Sequence, residues 1–319
     1  MTAAIELPAY AKVNLCLLLG GVRPSDRRHE LVTVFEAVSL ADRLTVRVGG
    51  TADSVLCPGV AGVNLAERAL AALRAEGWSA PALTVTIDKQ IPVAAGMAGG
   101  SADAAAVLAL ALDPAFGPPL ADAVVYERAA ALGADVPAML APGVTLGLGA
   151  GERVTRCAPL APHAYLVLPS RAQLATPAVF AEADRLGLPR PAEELVDRLA
   201  AVRAALVPAG AGEGGRMRGG GQPLAGGDGF VSGGGRFPEA LIVNDLQPAA
   251  LSLCPPIADA LADARAAGAE YALVSGSGPT VFGLRWGSDA AAWAHDAARA
   301  LSGRWPGAVA AEPVERSGR

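Results

Sequence analysis

Lysine is nearly missing from this 319-residue chain. Of 26 basic residues only Lys12 and Lys89 are lysines, and every other one is Arg. Lys is a compact ammonium on a flexible stem, whereas Arg is a planar fork. Two retained lysines therefore mark candidates for chemistry that a guanidinium cannot do; for Lys89 alone, chance survival is the competing explanation. Cysteine is scarce too. Cys16, Cys57, Cys157 and Cys254 lie far apart with no CxxC spacing, which argues against structural zinc and for a reducing, cytoplasmic setting. Aromatic residues make up 4% of the chain, so its 52% hydrophobic content rests largely on alanine and does not mark a membrane protein. The longest apolar run, 104–112, is far short of the roughly 20 residues that span a bilayer. The apolar run 13–19 follows Glu6 without a basic stretch and reads as a strand, not a signal peptide. The formal net charge is -5, and no basic cluster is dense enough for nucleic acid. The length allows two domains or one large one.

Glycine, by contrast, is placed where it can work. Residues 92–108 read PVAAGMAGGSADAAAVL, after an alternating strand at 83–87 and before an alanine-rich helix. Gly96, Gly99 and Gly100 permit positive φ and close backbone approach. The helix that follows offers unpaired N–H groups and the positive end of its dipole. Strand, glycine loop and helix N-terminus make an anion site, most often for phosphate. The spacing fits neither GxxxxGK[ST] nor GxGxxG. Taken alone, a tight turn packing a helix on a sheet competes with the phosphate reading.

Residues 9–19 alternate, with Val13, Leu15, Leu17 and Leu19 predicted on one face and Lys12, Asn14 and Cys16 on the other. An ammonium and an amide side by side on a strand are costly if buried unpaired, so a ligand or a carboxylate belongs there. Strands are predicted at 31–40 and 43–48. Asn64 caps a helix to Glu76, with Glu67 completing a capping box and Gly77 closing the end. A helix at 122–132 leads to GADVPAML, where Asp135 stands among small and apolar residues; it is either paired and working or an ordinary helix-end turn aspartate. The pattern restarts near residue 160, with a strand at 164–168, helices at 176–186 and 191–206, a strand at 240–243, a helix at 256–267, strands at 271–274 and 280–284, and a last helix from Ser288 to Leu301. Residues 209–236 are a glycine-dominated insertion expected to be disordered. SGSGP at 275–279 is a second glycine turn, and one such loop per domain predicts a cleft between domains.

A phosphate loop, a lone Lys and an isolated Asp together suggest phosphoryl transfer, in which a protein mainly positions groups and stabilises spreading charge. The loop would hold nucleotide phosphates, Lys12 would neutralise charge between donor and acceptor, and Asp135 would take the acceptor's proton. Mg²⁺ would bridge phosphate oxygens with few protein ligands, and the sequence names none of them.

Eight segments, in order, resemble the GHMP kinases: AKVNLCL, the RHEL that runs into VTVFEAVSLADRLTV, VNLAERAL, IDKQIPVAAGMAGGSADAAAVL, LGADVPAML, LATPAVF, VNDLQPAAL and SGSGPTVFGL. Within that family they resemble the branch acting on 4-diphosphocytidyl-2-C-methyl-D-erythritol in the non-mevalonate (MEP) route to isoprenoids. The resemblance implies a two-domain α+β fold, with a ribosomal-protein-S5-like domain at 1–159, a ferredoxin-like domain at 160–319 and a cleft between. It implies ATP and Mg²⁺, a small-molecule cytidyl diphosphate acceptor phosphorylated on its 2-hydroxyl, no nucleic-acid or membrane partner, and a monomer or homodimer. Lys12 and Asp135 match the catalytic pair. Pro92, Val93, Ala94, Ala95, Gly96, Met97, Ala98, Gly99, Gly100, Ser101 and Ala102 match the ATP loop, and Asn64 and Lys89 border the adenine side. Asn14 matches a polyol ligand, His29 the cytosine reader, and Phe180 with Thr176 a wall of the cytosine pocket. Phe180 reads equally well as a core aromatic. His163 and His295 have no context. The family usually has Gly-Tyr before the His, with the Tyr stacked on cytosine; here stand Arg27 and Arg28, and the Arg28 guanidinium can stack on a base too. Ala98, Ala102 and Asp103 also depart from the common GLGGGSSNA loop. Competing readings are another small-molecule GHMP kinase and a non-catalytic nucleotide or metabolite binder on the same fold.

Overall fold

A computed structural model describes residues 4–60, 62, 64–93, 95–170, 172–206 and 234–314. Ala94 and residues 209–233 of the glycine-rich insertion lie outside the described residues. In chain order the first half contains β1 (Ala4–Val22), β2 (His29–Val48), β3 (Ser54–Leu56), α1 (Leu65–Ala75), β4 (Leu83–Asp88), α2 (Gly99–Ala109), α3 (Asp122–Leu132), α4 (Val136–Met139), β5 (Val144–Gly149) and β6 (Arg153–Arg156). The second half contains β7 (His163–Leu168), α5 (Thr176–Arg185), α6 (Ala192–Leu206), β8 (Val243–Asn244), α7 (Gln247–Leu253), α8 (Ile257–Ala266), β9 (Tyr271–Val274), β10 (Val281–Trp286), α9 (Ala290–Leu301) and β11 (Val309–Ala311).

Two sheets result. The first has seven strands, with β3-β4-β2-β1-β8 in one row and β5 and β6 added beside β2. The second has four antiparallel strands in the order β11-β7-β10-β9. β2 is one strand where two were expected. Its residues 31–36 pair with β5 and 43–48 with β4, and the expected break is a register shift opposite Tyr10 and Ala11. α7 and β11 were not expected, and neither was β3.

The predicted faces of β1 hold only for its first half. Ala11, Val13 and Leu15 face the large core, but so do Cys16 and Leu18, while Leu17 and Leu19 join the second core. The cause is an irregularity between Asn14 and Cys16 in the pairing with β2. An extra residue in one strand reverses every face beyond it. Lys12 and Asn14 thus share their face with Leu17, and Cys16 is buried in the core.

The four-stranded sheet is covered on both sides. Leu166, Leu168 and Val281 pack with α8 and α9, whereas Tyr165, Val167, Phe282, Leu284 and Trp286 belong to the same hydrophobic cluster as the seven-stranded sheet. Alternation along β7 and β10 places one face of the second sheet on the first half of the chain.

Candidate active site

A cleft of about 1130 Å³ opens where the two halves meet. At its centre Lys12 is only 3% exposed. Its Nζ donates to Asn14 Oδ1 at 2.6 Å and to the Gly96 carbonyl at 3.0 Å, and lies 3.8 Å from Asp135 Oδ2. Burial lowers the Lys12 pKa, and Asp135 acts against that. Asp135 precedes α4, yet its side chain makes no capping bond, so the carboxylate faces Lys12 and the cleft. Asn14 is oriented in turn: its Nδ2 donates to Thr33 Oγ1 at 2.8 Å, and Thr33 donates to the Cys16 carbonyl at 2.7 Å. The Phe35 ring lies 5.6 Å from Lys12 Nζ.

The glycine loop lines the cleft beside Lys12. Gly96 has φ 75° and is pressed against the second glycine turn, where Ser275 Oγ donates to the Gly96 carbonyl at 3.1 Å. Ala98 is left-handed, with φ 57°, and leads into α2. Pro92, Val93, Ala95, Gly96, Ala98, Gly99, Gly100 and Ser101 line the cleft. Met97 and Ala102 do not: each is 1% exposed and packs in the core. Beside the loop, Asn64 caps α1 as expected, accepting from Ala66 N at 2.8 Å. Lys89 sits between two carboxylates, bonded to Asp42 and, at 2.8 Å, to Asp103. Burial acts to lower the Lys89 pKa, but the two carboxylates outweigh it and raise it. Asp103 is the costlier partner. Its Oδ1 is buried without a hydrogen-bond partner among the described residues, and burial lifts its pKa to about 6 against the pull of Lys89.

The same cleft holds an aromatic pair. His29 and Phe180 have ring centroids 5.3 Å apart, and His29 Nδ1 is 2.8 Å from the Gly20 carbonyl. Thr176 Oγ1 lies 3.0 Å from Ser277 Oγ. Arg28 also lines the cleft, with its guanidinium 3.9 Å from Glu152.

The model for the GHMP kinases N terminal domain matches residues 64–143, and that for the GHMP kinases C terminal domain matches residues 232–302. The chain is 40% identical over 293 residues to 4-diphosphocytidyl-2-C-methyl-D-erythritol kinase of Streptomyces coelicolor, covering 88% of this chain and 86% of that one. The chain belongs to the GHMP kinase family. The corresponding enzyme of Mycolicibacterium smegmatis is 38% identical, over 88% of this GHMP kinase and 81% of its own length. A crystal structure of 4-(cytidine 5'-diphospho)-2C-methyl-D-erythritol kinase superposes with a TM-score of 0.69 at 32% identity, covering 98% of this chain and all (100%) of that one. A crystal structure of L. major mevalonate kinase, at 15% identity and a TM-score of 0.60, shares the fold.

Sequence reasoning missed several residues that this kinase brings to the cleft. Thr33, Phe35 and Asp184 line it, whereas Gly276, Ser277 and Gly278, also in the lining, come from the second glycine turn that the sequence had marked. Thr33 and Phe35 stand at alternate positions of β2, directly after His29, so the period-2 pattern applied to β2 would have placed them beside Asn14 and Lys12. Asp184 follows Phe180 by four residues on α5, the spacing that shares a helix face.

Proposed function

We propose that this GHMP kinase transfers the γ-phosphoryl group of ATP to the 2-hydroxyl of 4-diphosphocytidyl-2-C-methyl-D-erythritol, a step of the non-mevalonate route to isoprenoid precursors. One observation carries the mechanism. The Lys12–Asp135 pair, 3.8 Å apart, lies in a single cleft with the glycine loop and the His29–Phe180 pair. In this reading residues 96–101 and the first turn of α2 hold the ATP phosphates on backbone N–H groups. His29, Phe180, Thr176 and Arg28 hold the cytidyl end, and Asn14 holds the polyol. Asp135 accepts the proton as the acceptor O–H bond breaks. The new O–P bond forms, the bond to the β-phosphate oxygen breaks, and ADP leaves. Lys12 stabilises negative charge on the transferred group. Asn64 and Lys89 border the adenine, and residues 1–159 and 160–319 are the two domains.

Among the described residues no group of three or more His, Cys, Asp or Glu side chains could hold a metal ion. Mg²⁺ would therefore enter with ATP. Ser101 and Asp135, both lining the cleft, offer the hard oxygen donors that suit it, and when bound it would neutralise phosphate charge. Among the described residues no helix is long and apolar enough to cross a membrane, which suits a soluble cytoplasmic enzyme.

The test is ADP release from ATP and Mg²⁺ with the cytidyl acceptor, run beside mevalonate, homoserine, galactose and the acceptor without its cytidyl group. Turnover with the cytidyl acceptor alone is expected. Turnover with another alcohol only would keep the mechanism and discard this acceptor. Asp135→Asn is expected to lower kcat at least about 100-fold, the scale of a general base, while ATP affinity stays near wild type by calorimetry. An unchanged kcat would remove Asp135 from the reaction.

A further inference from the structure

The base end of the cleft carries a carboxylate that the reaction above does not use. Asp184 Oδ2 lies 3.3 Å from His29 Nε2, and Asp184 shares a face of α5 with Phe180. The other His29 nitrogen is committed to the Gly20 carbonyl. The imidazole is therefore clamped at one edge and presents the other beside Asp184. Leu17, Val22, Leu31 and Ala181 supply apolar lining to the same cleft.

A carboxylate here opposes the anionic diphosphate that the acceptor brings. Asp135 is answered by Lys12 and Asp103 by Lys89. Among the described residues Asp184 has no Lys or Arg partner, and the adjacent Arg185 is taken up by two 2.6 Å hydrogen bonds to Glu182. Asp184 is also 48% exposed while lining the cleft, so it is open to a ligand.

We propose that Asp184 is a specificity-determining residue whose carboxylate accepts the exocyclic amine of the base, selecting an amino-pyrimidine over its keto counterpart. This rests on the cytidyl acceptor reading above. A carboxylate accepts hydrogen bonds and does not donate them. The 4-amino group of cytosine donates to Asp184, whereas a 4-keto oxygen at that point faces it lone pair to lone pair. Selectivity then comes from a repulsive contact as well as an attractive one.

The experiment measures kcat and KM for the cytidyl acceptor and its uridyl counterpart in wild type, Asp184→Asn, Asp184→Ala and Asp184→Glu. Wild type is expected to prefer the cytidyl acceptor by at least about 100-fold in kcat/KM. Asp184→Asn presents N–H to the keto oxygen and should cut that preference roughly 10- to 100-fold, more through KM than kcat. Its use of the uridyl acceptor should rise, while Asp184→Ala weakens the cytidyl acceptor without that gain. Asp184→Glu should keep most of the preference. A residue that only props His29 would slow both acceptors alike, and an unchanged ratio in Asp184→Asn and Asp184→Ala overturns the proposal. No turnover of the cytidyl acceptor by wild type would instead defeat the functional reading beneath it, a result distinct from an unchanged ratio in an active enzyme.

Discussion

Two residues stand where the GHMP kinase segments usually carry glycine, and both hold a glycine-like conformation. Arg27 has φ 61° and Ala98 has φ 57°. The backbone at these points is set by the loop that must form, and the side chain accepts the strain. For Ala98 the opposing magnitudes can be compared. Left-handed geometry costs an L-residue about 1–2 kcal/mol, while glycine loses about 0.4–1 kcal/mol through its freer unfolded state. Ala98→Gly is therefore expected to stabilise the protein by about 0.5–1 kcal/mol, a rise in Tm of a few degrees. A lower Tm would mean that the Ala98 methyl makes contacts worth more than the strain. The departures from the motif were visible in the sequence, but their strain was not, because φ is fixed by what surrounds the loop.

At the scale of elements, the glycine loop shows why identical substitutions need not have similar effects. A Cβ on Gly96 would lie 2.2 Å from the Ser275 carbonyl oxygen at φ 75°, whereas a Cβ on Gly100 would meet only Leu65 Cδ1, at 3.7 Å. Gly96→Ala must push the two glycine turns apart. It is expected to cost about 2–4 kcal/mol and to lower kcat/KM about 100-fold, since a shift near 1 Å misplaces the phosphates. Gly100→Ala, inside α2, should hold or raise Tm because Ala outranks Gly in a helix. Equal Tm losses in the two variants would sink the argument. The sequence marked both glycine turns and predicted a cleft, since glycine clusters are local signals. It also supplied Lys12, Asn14, Asp135, His29 and Phe180, which meet in that cleft. It could not announce the irregularity after Asn14, which no Gly or Pro marks and which reversed the predicted faces of Leu17 and Cys16. α7 hides in QPAALSL, where seven residues are too few to show a helical period, and β11 is three residues whose reason lies in the sheet edge they complete.

At the scale of the whole molecule, the two halves are joined by more than the cleft. β8 pairs with β1, the Ser39 N–H donates to the Glu312 carbonyl, and the Val314 N–H donates to the Ala37 carbonyl. One hydrophobic cluster spans both sheets. Within it lies a polar knot. Glu36 of β2 accepts from His163 Nε2 at 2.8 Å and from the Tyr165 hydroxyl, both on β7. His163 Nδ1 lies 2.7 Å from the Ala161 carbonyl. Acceptors at both ring nitrogens are satisfied together only by the imidazolium. Burial acts to lower the His163 pKa, but Glu36 and the Ala161 carbonyl outweigh it and raise it. A histidine raised in the folded state contributes stability that is complete below its unfolded value of about 6.5 and is lost as pH rises through the folded value. Wild-type Tm should therefore carry a downward step on the alkaline side of about pH 6.5. Glu36→Gln removes the counter-charge. It should cost about 2 kcal/mol at pH 6, on the order of 5 °C, and flatten that step, so the two Tm curves converge as pH rises. Because the knot ties β2 to β7, the loss should lower one unfolding transition shared by both halves. Parallel Tm curves, or a second transition moving by itself, would show that His163 and Glu36 do not couple the two sheets.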